Sequence, residues 1–264
     1  MNELERIVAL ARTEVERRRR TVTGEALARE AAVRVPGGGA FASALRRPGI
    51  SLIAEHKRRS PSAGTLRDGV ALEQVVEAYG RGGAAALSIL TEGPSFGGSL
   101  HDLRAARTAS KLPILRKDFI VDRYQVDEAV VAGADAILLI VAALTEAELR
   151  QLHAYAADRR LDALVEVHDQ RELERALAVG ARLVGINNRD LTTLEVAVAR
   201  TFELLPLVPQ GTVVVAESGF SRRDQLESLS EAGADAVLIG EALMRAPDIE
   251  AAVRSLIGSP PFVC

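Results

Sequence analysis

The chain is short of several residue types, and each shortage excludes something. One cysteine, Cys264, stands last among 264 residues. An internal disulfide and a cysteine-based metal site are excluded, and a terminal thiol makes a poor nucleophile. A reducing cytoplasm is the expected setting. Tryptophan is absent and aromatic residues make up 3%, too few for a base-stacking platform. A net charge of −3 and a pI of about 5.9 give no general basic footprint. No apolar run approaches the roughly 18 residues that span a membrane. MNELERIVAL lacks the basic start and apolar block of a signal peptide. Neither nucleic acid nor a membrane is an expected partner. Lysine is also scarce: of 33 basic residues, only Lys57, Lys111 and Lys117 are lysine.

That last scarcity directs the reading. Arginine stays protonated in proteins, whereas a desolvated lysine can release its proton. Where the sequence needs only positive charge, it writes arginine. Lys57 and Lys117 nevertheless close apolar runs, and they mark positions that need a titratable ammonium. Lys111 reads as surface. LPILRKDF at 112–119 is therefore the stretch around which the chemistry is organised.

Before the first apolar run, Leu4, Ile7, Val8, Ala11 and Val15 recur at helical spacing and predict an amphipathic helix. The arginines at 17–20 read as its solvated end, where cations suit the helix dipole. A second helix is expected over 25–34, followed by Pro36-Gly37-Gly38-Gly39. From residue 51, apolar strands alternate with amphipathic helices. Strands are expected at 51–56, 85–90, 112–116, 134–140, 162–167, 182–186, 212–216 and 235–239. Helices are expected at 71–79, 100–109, 122–131, 145–157, 170–178, 195–204, 222–231 and 241–255. Such alternation predicts a parallel sheet with helices outside. Eight units in about 210 residues fit a closed (β/α)8 TIM barrel of the α/β class. The near-repeats AGADAILLI at 132–140 and AGADAVLIG at 232–240 each place a glycine at a helix end. The alternative, an open doubly wound sheet, would carry a glycine-rich first turn, which is missing. We expect one barrel domain over 1–264, with residues 1–48 as a helical extension packed on it.

In such a barrel the C-terminal strand ends form the site, and alternation selects the side chains that face it. Glu55 and Lys57 share one face of strand 1, with His56 on the other. Lys117 follows Leu115 inward, and Glu166 follows Leu164. Asn187 begins NNRDL after strand 6, Glu217-Ser218-Gly219 ends strand 7, and Gly240 ends strand 8. His101 and His153 read as solvated. His168 reads as facing opposite to Glu166. No histidine pair has metal-ligand spacing, and no metal is expected.

At these residues the chain resembles the indole-3-glycerol phosphate synthase family. The matching words are IAEHKRRSPSAG (53–64), LTEGPSFGGS (90–99), LRKDFIVDRYQ (115–125), GADAILLI (133–140), LVEVHD (164–169), GINNRDL (185–191), AESG (216–219) and LIGEALM (238–244). They run in order along the barrel. Departures are His56, expected to point outward, Ala63 in the loop after strand 1, Arg123, and the tail SPPFVC.

The resemblance implies ring closure of 1-(2-carboxyphenylamino)-1-deoxyribulose 5-phosphate, with loss of carbon dioxide and water and with no cofactor. It implies Lys117 as main general acid and Glu166 as its partner in dehydration. Lys57 would hold the substrate carboxylate and act as second acid, oriented by Glu55. Asn187 and Ser218 would position hydroxyls, with Glu217 beside them. The phosphate is expected at Gly219 and Gly240, before a helix whose Glu241 must point away, with Ser60 adding a hydroxyl. Phe96 and Leu191 would sandwich the aromatic ring, with Phe119 also in contact and Arg189 near the carboxylate. The loop at 58–66 is expected to close over substrate, with Gly64 as hinge and Pro61 limiting its bending. A monomer or weak homo-oligomer is expected. Two rival readings are a Schiff-base aldolase with Lys117 as nucleophile and a non-catalytic barrel serving as a partner subunit. An isomerase using cysteine is excluded because Cys264 is terminal.

Overall fold

Eight apolar runs become parallel strands that are buried on both faces, as a sheet covered on both sides requires. The computed structural model describes residues 2–34, 36–60, 64–67 and 69–258. The tail word SPPFVC lies outside the described residues. The strands are β1 (Ser51–His56), β2 (Ala86–Leu90), β3 (Ile114–Lys117), β4 (Ala136–Ile140), β5 (Asp162–Val167), β6 (Leu183–Asn187), β7 (Val213–Glu217) and β8 (Ala236–Ile239). They close in sequence order into a barrel, with β1 hydrogen-bonded to both β2 and β8. Alternation then divides two cores. Leu52, Ala54, Ile137, Val165 and Val214 face the helices, while Ile53, Leu115, Leu138, Leu164 and Val215 fill the interior.

The outer ring consists of helices Leu72–Gly82, Leu100–Ala109, Arg123–Ala132, Glu146–Asp158, Gln170–Ala178, Ala199–Leu204, Arg223–Ala232, Glu241–Arg245 and Ile249–Ile257. The last packs on the first and completes the ring. Gly133 and Gly233 end their helices at φ +94° and +98°, the left-handed cap expected from the repeats. Two helices differ from expectation. The helix expected at 195–204 starts only at Ala199, because residues 195–197 pair back onto 188–190: Val196 bridges Arg189, Glu195 accepts the Asp190 N–H and Ala197 donates to the Asn188 carbonyl. The helix expected at 241–255 breaks after Arg245. Ala246 precedes Pro247 and is extended, at ψ 134°, as a residue before proline prefers.

Ahead of β1 lie α1 (Glu3–Arg19), α2 (Gly24–Val33) and α3 (Ala40–Leu45). Asn2 and Glu5 form a capping box for α1, and Thr23 caps α2. α3 plugs the N-terminal end of the barrel: Phe41 and Leu45 are fully buried among the interior strand residues. Each contributes roughly 1.5–3 kcal/mol relative to exposure. The arginines at 17–20 close α1 as expected, with Arg17 and Arg20 exposed, but Arg18 and Arg19 depart from the expected solvated end. Arg18 meets Glu128 at 2.6 Å and Arg19 meets Asp122 at 2.5 Å, both at the helix behind β3. Glu128 also takes Arg116, a strand arginine only 1% exposed that pairs with Asp118 at 2.9 Å. Among the described residues, no helix is long and apolar enough to cross a membrane.

Candidate active site

Lys117 is the last residue of β3 and faces the barrel axis at its C-terminal mouth. Its Nζ lies 3.1 Å from Glu166 Oε2, at the end of β5, and 2.8 Å from Glu217 Oε2, at the end of β7. Three strands thus meet in one buried ionic cluster. Burial alone would lower the lysine's pKa. Glu166, Glu217 and Glu55 overcome it and carry the pKa well above the ordinary lysine range. The expected titratable lysine is therefore a firmly held ammonium.

The two carboxylates on Lys117 are not equivalent. Burial works against charge on Glu166, but Lys117, then His168 and Asn187, hold its carboxyl well below the usual range. Burial pushes Glu217 up to about 7; the Lys117 charge opposes this and the Glu166 charge adds to it. Glu217 Oε1 is buried without a hydrogen-bond partner among the described residues. An unpaired buried carboxylate oxygen is costly, and a protonated carboxyl lowers that cost. The sequence reading placed Glu217 beside Asn187 and Ser218 and missed its contact with Lys117.

Lys57 forms a separate pair, 2.8 Å from Glu55 Oε1. Glu55 is buried; Lys57 and then Lys117 offset that burial and lower its pKa. Ser88 on β2 reaches Glu55 Oε2 at 3.4 Å. Gly240 explains its own residue type here. A Cβ on it would stand 2.5 Å from Glu55 Oε1, the oxygen that holds Lys57. Gly240→Ala should therefore displace the Glu55–Lys57 pair while the flexible carboxylate end absorbs the clash. We expect turnover to fall roughly 10- to 10²-fold, the scale of an ångström's misplacement. The melting temperature should move by no more than about 4 °C, the shift of a small stability change. Parent-like turnover would show that the placement of Glu55 is unimportant.

These groups line a cleft of about 480 Å³ that also holds every other expected site residue except Ser60. Phe96, Phe119 and Leu191 supply its apolar wall, with Arg189 beside them, and Ser218, Gly219 and Gly240 lie at the ends of β7 and β8. Ser218 has φ +64°, a left-handed conformation uncommon outside glycine. Its carbonyl accepts the Asn188 side-chain amide at 3.0 Å. Asn187 accepts the Arg189 backbone N–H at 3.0 Å. Glu241 lines the cleft as the first residue of its helix, and its carboxylate is held by Arg245, one turn along that helix, at 3.1 Å.

Ser60 lies elsewhere. It lines a smaller cavity of about 90 Å³ with Glu3, Leu4 and Ile7 of α1, and with Lys57, Phe96, Phe119, Arg189 and Leu191 of the cleft wall. The extension thus reaches the mouth of the site, which sequence spacing could not reveal. The loop after β1 is a short antiparallel pairing of residues 59–60 with 64–65. Arg58 clamps Asp102 at 2.6 and 2.7 Å, and Arg59 reaches the carbonyls of Gly93 and Pro94. Pro61 and Ala63 lie outside the described residues.

Two histidines correct the sequence reading. His168 is two residues beyond Glu166, so alternation puts both on one side. Its Nε2 lies 3.4 Å from Glu166 Oε1. His153 is half-buried, and burial lowers its pKa. His56 is buried on the outward face of β1, as expected, and burial, then Arg58, lowers its pKa to about 4.

Comparison with known proteins accords with this geometry. The family model for indole-3-glycerol phosphate synthase matches residues 4–256. The chain is 54% identical to "Indole-3-glycerol phosphate synthase" of Nocardioides sp., over 81% of this chain and 82% of the relative. It is 47% identical to "Indole-3-glycerol phosphate synthase 2" of Streptomyces coelicolor, over 91% and 93% of the two chains. Among solved structures, a mutant tryptophan synthase alpha-subunit from Pyrococcus furiosus superposes with TM-score 0.60 at 18% identity, over 79% of this chain and 98% of that one. That likeness shows the barrel fold alone.

Proposed function

Because the chain belongs to the indole-3-glycerol phosphate synthase family, we propose that its cleft converts 1-(2-carboxyphenylamino)-1-deoxyribulose 5-phosphate to indole-3-glycerol phosphate. The activity is that of a carboxy-lyase of tryptophan biosynthesis. The observation that carries the assignment of roles is Lys117 Nζ, 3.1 and 2.8 Å from two carboxylates at the barrel mouth.

The ring carbon that bears the carboxylate attacks the ketone carbon, and Lys117 protonates the ketone oxygen as that bond forms. Carbon dioxide then leaves with its bond electrons returned to the ring. In the last stage an acid protonates the departing hydroxyl and a base removes a carbon-bound proton. Glu166, kept ionised, supports the base role. Glu217, whose pKa is pushed up to about 7, holds a proton that can return to Lys117. Lys57, set by Glu55, holds the substrate carboxylate and serves as the second acid. Phe96 and Leu191 flank the aromatic ring with Phe119, Arg189 lies by the carboxylate, and Asn187 and Ser218 hold hydroxyls. Gly219 and Gly240 receive the phosphate. Ser60 adds a hydroxyl from the smaller cavity that shares Lys57, Phe96, Phe119, Arg189 and Leu191 with the cleft.

An ammonium held by two carboxylates is a poor Schiff-base nucleophile, which must be a free amine. This disfavours the aldolase reading. Incubation with the arylamino-deoxyribulose phosphate should produce indole absorbance, and borohydride should trap no adduct. Absence of indole product would overturn the proposal. A cytoplasmic setting is part of the same reading, supported by one cysteine in 264 residues. A monomer or weak homo-oligomer is also proposed.

A further inference from the structure

His168 does not line the cleft, yet its side chain is only 11% exposed and lies between two carboxylates. Nδ1 is 3.0 Å from Glu172 Oε2, which also accepts the backbone N–H of His168 at 2.8 Å. Glu172 is itself fixed in the first turn of its helix, where Asp169 accepts its N–H at 2.8 Å. On the other side of the ring, Nε2 is buried with no hydrogen-bond partner among the described residues, and it faces Glu166 Oε1 at an ion-pair distance of 3.4 Å. Lys117 uses the other oxygen, Oε2. Glu166 thus has an ammonium at one oxygen and an imidazole at the other.

The ring's protonation follows from this geometry. A neutral imidazole carries one N–H. Whichever nitrogen lacked it would aim a lone pair at a carboxylate oxygen. Only the imidazolium turns an N–H toward both neighbours, in a hydrogen bond to Glu172 and in a longer charge contact with Glu166. Burial opposes that charge, but Glu166 and Glu172 carry the ring to about 10. Asp190, in the loop after β6, also interacts electrostatically with His168. Beyond Glu166 the next charges are Lys117 and Glu217. Among the described residues, Glu217 has no second cation and its Oε1 is unpartnered.

We propose that His168 is a positioning residue for this reaction: anchored by Glu172, its imidazolium commits Glu166 to the carboxylate form and orients it toward Lys117. The proton shared within the carboxylate pair then rests on Glu217. His168 touches no reacting atom and acts through Glu166. The inference rests on the base role proposed for Glu166.

Sign and size can be stated. A base must be ionised, so turnover is present above the pKa of Glu166 and lost as pH falls through it. Removing one cation moves a carboxylate up by about 1–3 units. His168→Gln should therefore raise the low-pH limb of kcat by about one unit or more, with KM within about twofold of the parent because no substrate contact is lost. Glu172→Gln leaves the ring in place but frees it to become neutral, and should move the limb in the same direction. It also serves as the test if His168→Gln does not fold. Independently of turnover, the His168 ring should remain an imidazolium by NMR up to pH 8. In folded Glu172→Gln it should lose its proton at lower pH than in the parent. A limb unmoved in the folded variants, or a parent ring that titrates near the ordinary histidine value of about 6.5, would overturn the inference. A parent without indole-forming activity would instead defeat the proposed function, leaving the ring titration to be read by itself.

Discussion

Lys117→Arg should lower turnover at least about 10²-fold, the lower end of what a positioned general acid supplies, while substrate affinity changes little. The substitution keeps the charge. A guanidinium can still meet Glu166 and Glu217, whose facing oxygens lie 3.1 and 2.8 Å from the present ammonium. The buried carboxylates would therefore not be stranded, and the fold should persist. What is lost is the transferable proton, because arginine does not release it in a protein. The strongly held ammonium is compatible with this role. Once the developing alkoxide lies beside Nζ, it is a stronger base than either carboxylate. Steady-state assays followed by indole absorbance would read the loss. Lys111→Arg, at an exposed position, provides a control for lysine replacement as such. Turnover of Lys117→Arg within about threefold of the parent would be far too small a loss for a general acid and would remove Lys117 from that role.

The residues that make this prediction possible were legible because a strand has a period of two. Counting from Ile53, Leu115, Leu164 and Val215 places Glu55, Lys117, Glu166 and Glu217 inside without any knowledge of contacts. The lysine count was informative for the same sites, since arginine served elsewhere. The same count misled about arginine itself. Arg116 is almost fully buried, and its partners Asp118 and Glu128 lie on a loop and a helix behind β3. Arg18 joins that network from α1, across a separation no local pattern encodes. The smaller cavity behind Ser60 has the same origin, because Glu3, Leu4 and Ile7 reach it only through the packing of the extension. His168 was available to sequence reasoning. Its parity with Glu166 was enough, although the anchoring by Glu172 depends on where the following helix starts. The break at Arg245 was local as well, set by Pro247, whereas the late start at Ala199 comes from the pairing of residues 195–197 back onto 188–190.

Glu166→Gln should impair dehydration more than ring closure, with overall turnover falling at least about 10²-fold. The amide is nearly the same size, so the interior layer around Leu164 stays filled. Its oxygen can still accept from Lys117, and its nitrogen can donate to a neutral His168. Charge and basicity are lost. Ring closure draws mainly on the acid Lys117, whereas the final step needs a group to take a carbon-bound proton as hydroxide departs. The pre-dehydration species, heavier than product by one water, should therefore accumulate and be visible by mass. Stability should respond to pH with a defined sign. Folding holds the Glu166 carboxyl well below its usual range. The parent therefore has this contribution above the unfolded carboxylate pKa of about 4.3 and loses it as pH falls toward the folded value. The Glu166→Gln variant has no carboxyl there, so its melting temperature should fall less steeply in acid than the parent's. If the variant shows only a raised KM, with product composition unchanged, Glu166 positions substrate and the base is another group. Of the groups at the barrel mouth, Glu217 would then be the candidate, because its carboxyl titrates near neutrality and already touches Lys117.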